Sequence, residues 1–138
     1  MKVETYLFFN GKCEEALTFY QQLLGIEVSM LMRYKESPDQ SLCPPNCEEK
    51  VMHGNFKIGE TSFMASDGDC EGEPNFSGFS LSYNAENEEL AQKVMNGLAE
   101  GGEITMPLDE VFWGGLFGMV TDKFGMSWMI SVLDEDHP

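Results

Sequence analysis

Residues Lys57 to Ser66 read KIGETSFMAS, and residues Lys123 to Ser131 read KFGMSWMIS. Allowing one extra residue in the first copy, both run Lys, apolar, Gly, then Ser, aromatic, Met, small or branched, Ser. The flanks repeat as well. Thr5 to Phe9 is an aromatic and apolar strand ending at the turn signal Asn10-Gly11, and Gly78 to Tyr83 is a strand ending at Asn84. Cys13, Ala16, Leu17, Tyr20 and Leu24 have the spacing of one helical face, with Glu14 and Glu15 at the positive end and Gly25 as a C-terminal cap. Leu90, Ala91, Val94 and Leu98 do the same before Gly101-Gly102. Ile26 to Tyr34 reads as a further strand. Asn10 and Asn84 stand 74 residues apart and Gly25 and Gly101 stand 76 apart, whereas the two phrases are offset by only 65 to 66. An insertion in the first half accounts for the difference, and the polar, proline-bearing stretch Lys35 to Lys50 is its place. That stretch is a flap or a partner contact.

Each half is therefore strand, helix, then three strands. Such a unit covers one face of its sheet with the helix and leaves the other open, so two units in one chain make a cleft between them. The expectation is an α+β fold: one domain over 1–138, with module one about 1–70 and module two about 75–133, forming a curved mixed sheet around a cleft with the helices outside. Strand alternation puts Phe63 and Ala65, and likewise Trp128 and Ile130, under the helices. Ser62, Met64 and Ser66, and Ser127, Met129 and Ser131, then line the cleft.

The bulk composition narrows the function. Of 138 residues 42% are hydrophobic, enough for a core of one ordinary domain. Eight Lys and Arg against 24 Asp and Glu give a charge of -16, which repels phosphate backbones and anionic membranes. No apolar run reaches the roughly 18 residues of a membrane helix, and no secretory layout opens the chain, so a cytoplasmic protein is expected. The acidic run Asp134 to Asp136 serves solubility. Cys43 and Cys47 form a lone Cys-x3-Cys around two prolines; without a second pair they read as loop thiols more than as a metal or redox site, and Cys13 and Cys70 complete the set.

The residues Tyr6-Leu7-Phe8-Phe9-Asn10-Gly11, Ala16 to Tyr20, Leu24-Gly25, His53-Gly54, Ser66-Asp67 and the stretch from Phe112 through Gly125 to Trp128 resemble the vicinal oxygen chelate superfamily. This is the glyoxalase and bleomycin-resistance fold of paired βαβββ units, and the likeness is to its PhnB-like subgroup. In metal-using members a divalent ion sits on a His from each first strand and a Glu from each last strand, and acts as a Lewis acid. Carried onto this chain, that set is missing. Neither first strand holds a His, and the carboxylate positions are Met64 and Met129, soft thioethers that suit Mg, Mn or Zn poorly.

His53 is the one imidazole inside the fold, since His137 is next to the terminus and expected in water. Alternation places His53 and Asn55 on the cleft side, where His53 is a general base, a lone metal ligand or a hydrogen-bonded pocket residue. Glu110 precedes Phe112-Trp113 and is either desolvated, which suits acid-base work, or a loop cap in water. Trp113 stacks on a ligand, plugs the cleft mouth or packs in the core. Asp67 and Asp122 end strands, where backbone hydrogen bonding is their usual task. Gly114, Gly115 and Gly118 suit a mobile loop or turn geometry. Met64 and Met129 are the two of ten methionines expected to meet a ligand, the others being mainly core.

The function expected is binding of a small, partly aromatic molecule through His53, Asn55, Met64, Trp113 and Met129, with no cofactor, although a divalent metal is conceivable. The alternative is a glyoxalase- or dioxygenase-like enzyme with an altered centre using His53 and Glu110. A demethylubiquinone methyltransferase, a label sometimes attached to such sequences, would need a Gly-rich turn after a first parallel strand, and none is present. Exposed sheet edges favour a homodimer.

Overall fold

The computed structural model describes residues 1–133; His137 and the Asp134 to Asp136 run lie outside the described residues. The chain divides into two compact units, Met1–Pro74 and the residues from Asn75 onward. Unit one runs β1 (Thr5–Phe8), α1 (Cys13–Leu24), β2 (Glu27–Arg33), β3 (Val51–Ile58) and β4 (Thr61–Ser66). Unit two runs β5 (Leu81–Asn84), α2 (Glu88–Leu98), β6 (Glu103–Glu110), β7 (Leu116–Thr121) and β8 (Ser127–Val132). Each unit has the order expected, and the fold is α+β.

Each unit builds its own four-stranded mixed sheet, in the orders β1-β4-β3-β2 and β5-β8-β7-β6. The first strand pairs parallel with the last, Tyr6 opposite Met64 and Ser82 opposite Met129, and the other pairings are antiparallel. Helix α1 buries Cys13, Ala16, Leu17 and Tyr20, and ends at Gly25, whose φ of 66° is the left-handed cap that lacks a β-carbon penalty. Helix α2 starts at Asn87, whose side chain accepts from Leu90 N–H at 2.8 Å, and buries Ala91, Val94, Met95 and Leu98. Hiding the Val, Met and Leu side chains contributes about 1.5–3 kcal/mol each against the entropy of ordering them.

Phe63, Ala65, Trp128 and Ile130 are all buried, as strand alternation requires. Gly54 and Gly118 occupy the same place in the two sheets, opposite Ala65 and Ile130. Gly54 faces α1, where an added β-carbon would meet Leu17 Cδ1 at 3.8 Å, and Gly118 faces α2, where one would meet Met95 Cε at 2.5 Å. Gly118 is thus a close-packing residue inside β7 and not part of a mobile loop.

The repeated phrase aligns differently from its letters. Ile58 pairs with Thr61 and Thr121 with Ser127, so two residues close the first hairpin and five the second. Lys57 lies in a strand and Lys123 in a turn, so the two lysines that match in letters do not hold equivalent places.

The insertion between β2 and β3 makes two single 3-10 turns, Tyr34–Glu36 and Gln40–Leu42. It is stitched to its own unit. Tyr34 N–H donates to Lys50 O and Lys35 N–H to Glu48 O, each at 3.0 Å, and Gln40 Nε2 reaches the carbonyls of Tyr34, Lys35 and Ser37. Cys47 is buried within it.

Candidate functional site

The face of the unit-one sheet opposite α1 collects Tyr6 and Phe8 from β1, Met30 and Met32 from β2, His53 and Asn55 from β3, and Met64 from β4. Register explains the grouping. Met32 pairs with His53, Met30 and Met64 both pair with Asn55, and Tyr6 pairs with Met64, so their side chains share one side. Tyr6 is 36% exposed, Phe8 52% and Met30 38%, while His53, Asn55 and Met64 are half-buried. The rings of Tyr6 and Phe8 stack, with centroids 4.9 Å apart and planes 27° from parallel. The His53 ring is 5.6 Å from that of Tyr6.

His53 is hydrogen-bonded through both nitrogens. Nε2 contacts Asn55 Oδ1 at 2.9 Å, and Nδ1 contacts the Tyr6 hydroxyl at 2.9 Å. A carboxamide oxygen only accepts, so Nε2 carries the proton and Nδ1 takes the Tyr6 hydroxyl proton. The result is a directed chain, Tyr6 O–H to His53 to Asn55, ending on an amide whose NH2 group donates.

Unit two presents the equivalent face with other chemistry. Ser82 stands where Tyr6 does, Phe117 where His53 does and Met119 where Asn55 does, while Met129 matches Met64. Trp113 is 44% exposed on the β6–β7 hairpin, edge to face with Phe112 at 4.9 Å and Phe117 at 5.9 Å, so it is not a core residue. Gly114 and Gly115 have φ of 98° and 82°, the geometry of that turn. Glu110 is exposed at the end of β6; the desolvation its aromatic neighbours suggest is absent.

Asp67 and Asp122 hold backbone. Asp67, 1% exposed, accepts from the N–H groups of Gly11, Cys13 and Val51, each at 2.8 Å. Asp122, 3% exposed, accepts from Phe124 N–H, Met126 N–H and Trp128 Nε1 at 2.9–3.0 Å. All four cysteines are free thiols, and the Cys43 Sγ lies 3.3 Å from Pro44 O.

The two last-strand positions where the family resemblance implies a carboxylate hold Met64, opposite Tyr6, and Met129, opposite Ser82. A thioether is a poor ligand for a hard divalent ion. Among the described residues no group of three or more His, Cys, Asp and Glu is placed to hold a metal.

Sequence reasoning placed His53, Asn55 and Met64 on this face but missed Tyr6 and Phe8. Their alternation with buried Leu7 and Phe9 was the available signal.

A family model described as 3-demethylubiquinone-9 3-methyltransferase matches residues 1–131. YjdN of Escherichia coli strain K12 is 34% identical over 143 residues, spanning 98% of this chain and 97% of that protein. Protein PA1353 from Pseudomonas aeruginosa superposes with a TM-score of 0.84 at 36% identity, over 96% of this chain and 98% of that one. The PhnB protein from Bacillus cereus does so with a TM-score of 0.81 at 34% identity, over 96% and 99%. A glyoxalase/bleomycin resistance protein/dioxygenase family enzyme from Burkholderia phytofirmans PsJN shares the fold alone, with a TM-score of 0.61 at 13% identity over 96% of each chain.

Proposed function

The chain belongs to the family described as 3-demethylubiquinone-9 3-methyltransferase, the PhnB-like group of the vicinal oxygen chelate fold, and on that footing we propose that it binds a small, flat, partly aromatic molecule. The observation that carries this reading is the Tyr6–His53–Asn55 chain set among exposed aromatic and thioether side chains. Stacked rings and adaptable sulfurs take a planar apolar body, and the Asn55 amide offers donors to a carbonyl or similar acceptor on it. Unit two has side chains of the same kinds, Trp113 on its β6–β7 hairpin and Met129 on its own open face. The family's name does not carry methyl transfer to this protein. Among the described residues neither unit has the alternating βα order with a Gly-rich turn that a nucleotide-like methyl donor requires.

The second reading is an enzyme centred on His53, and the directed hydrogen-bond chain favours it, since such a chain fixes one tautomer for proton transfer. Glu110, exposed to water, is the weaker member of that pair. Binding of aromatic compounds by protein purified without chelators tests the first reading. Phe8→Ala and His53→Ala are expected to weaken it by about tenfold or more. A stoichiometric divalent metal that His53→Ala removes would replace the first reading with the second.

We further propose a two-fold dimer in solution. The edge strand β6 supports this, being exposed along its length except at Leu108 and bearing Ile104 and Met106. A monomeric mass in gel filtration would refute it.

A further inference from the structure

Cys47 and Cys70 are distant in sequence yet adjacent in unit one. Cys47 is buried with 4% exposure in the insertion, Cys70 is half-buried after β4, and the Cys47 thiol is among the groups that act on the Cys70 thiol. Both thiols are free.

The segments that carry them are tied together independently of the sulfurs. Val51 N–H donates to Asp67 Oδ2 and Asp67 N–H donates to Val51 O, both at 2.8 Å; Cys70 N–H donates to Asp67 O at 2.9 Å. The Tyr34 hydroxyl donates to Gly68 O. Cys70 holds a φ of 63°, a left-handed conformation strained for a residue with a β-carbon, so the surroundings impose its placement. Gly68 lies against Phe8, since an added β-carbon there would stand 3.3 Å from Phe8 Cδ1.

We propose that Cys47 and Cys70 form a reversible disulfide clasp that fastens the 35–50 insertion to the loop on which Phe8 rests. The oxidant is a low-molecular-weight disulfide. Cys70 gives its proton to solvent and its sulfur attacks one sulfur of the reagent, forming a mixed disulfide while one reagent thiolate leaves and is protonated. Cys47 then loses its proton and attacks the Cys70 sulfur; the protein disulfide forms and the second reagent thiol leaves. Two protein thiols lose two electrons and one external disulfide becomes two thiols.

Four groups face Cys70: Cys47 and Lys50 from the insertion, Asp67 from the end of β4 and Tyr34 from the end of β2. Burial first, then the Cys47 thiol and the Asp67 charge, push the Cys70 thiol up to about 12, with Lys50 opposing. Few Cys70 thiolates exist near neutrality, so the clasp closes slowly there and about tenfold faster per pH unit from about pH 7 to 9.

The test incubates the full chain with oxidised glutathione across that range, blocks remaining thiols by alkylation and maps linked peptides by mass. A Cys47–Cys70 crosslink is expected, lost in C70S, kept in C43S and reversed by dithiothreitol. Amide exchange across 35–50 is expected to slow by about tenfold or more in the oxidised form. A Cys43–Cys47 crosslink instead, no crosslink after prolonged exposure at about pH 9, or a crosslink without slower exchange would overturn the clasp. Mapping of the unmutated chain stands even where a variant folds poorly. Any effect on ligand binding rests on the binding reading above, whereas the crosslink is read without a ligand, so failure of either leaves the other intact.

Discussion

The Tyr6 hydroxyl donates to Nδ1 of His53 across 2.9 Å and, together with the Asn55 oxygen that accepts from Nε2, holds the ring in one tautomer. Tyr6→Phe removes the donor and leaves Nδ1 free to take the proton itself. The expected outcome is a shift of the His53 nitrogen resonances from a single Nε2-protonated form to a tautomer mixture, with a loss of about 0.5–1.5 kcal/mol in stability. Nitrogen NMR of the imidazole and denaturant unfolding read the two effects. An unchanged tautomer in the variant would show that Asn55 alone sets it.

Asp67 gathers three backbone donors from three segments: the β1–α1 turn, the start of α1 and the start of β3. Asp67→Asn keeps the shape but turns an NH2 toward at least one N–H. A loss of about 2–3 kcal/mol is expected, measured by urea unfolding, because the stranded donors are buried. A loss under about 0.5 kcal/mol would mean that the carboxylate is dispensable there.

Gly118→Ala pushes a β-carbon into Met95 Cε and to 3.0 Å from the Leu108 backbone. Methionine yields, but backbone does so less readily, and a cost of about 1–3 kcal/mol is expected. Gly54→Ala is milder, since its nearest new contact is Met30 O at 3.5 Å. Paired thermal melts of the two variants test the ordering; equal costs would refute it.

Alkaline pH acts on the same unit. Burial, followed by the nearby Cys70 and Cys47 thiols, pushes the buried Tyr34 phenol up to about 12 from its ordinary 10.0. A group raised in the folded state contributes stability that is complete below its unfolded pKa and lost as pH climbs through the folded one. The Tyr34 contribution is therefore expected to persist to about pH 10 and to fall away toward about pH 12, where the phenolate can no longer donate to Gly68. Melting temperature against pH for the unmutated chain and Tyr34→Phe checks this; parallel curves between about pH 10 and 12 would refute it.

The doubled βαβββ order was legible because helix and strand periods switch at turn residues, Asn10, Gly25, Asn84 and Gly101, that the sequence spaces almost equally. The helix-facing and open faces followed from alternation alone, and so His53, Asn55 and Met64 fell on one side. Three things were not legible. The hairpin offset was misread because Lys-apolar-Gly recurs in letters while the strand pairing puts the two lysines in different places. Whether Glu110 is desolvated or, as found, exposed depends on tertiary neighbours that local aromatic residues do not report. The closeness of Cys47 to Cys70 arises from Val51 and Asp67 exchanging hydrogen bonds, a long-range pairing that no spacing rule encodes.

The two sheets keep matching backbones while their open faces diverge, Tyr6, His53 and Asn55 in one against Ser82, Phe117 and Met119 in the other. Because glycine and buried aromatic positions carry the scaffold on the helix side, residues on the open side are released from folding duty. Open-face side chains can therefore be exchanged one at a time in either half without disturbing the helix-side packing that holds it.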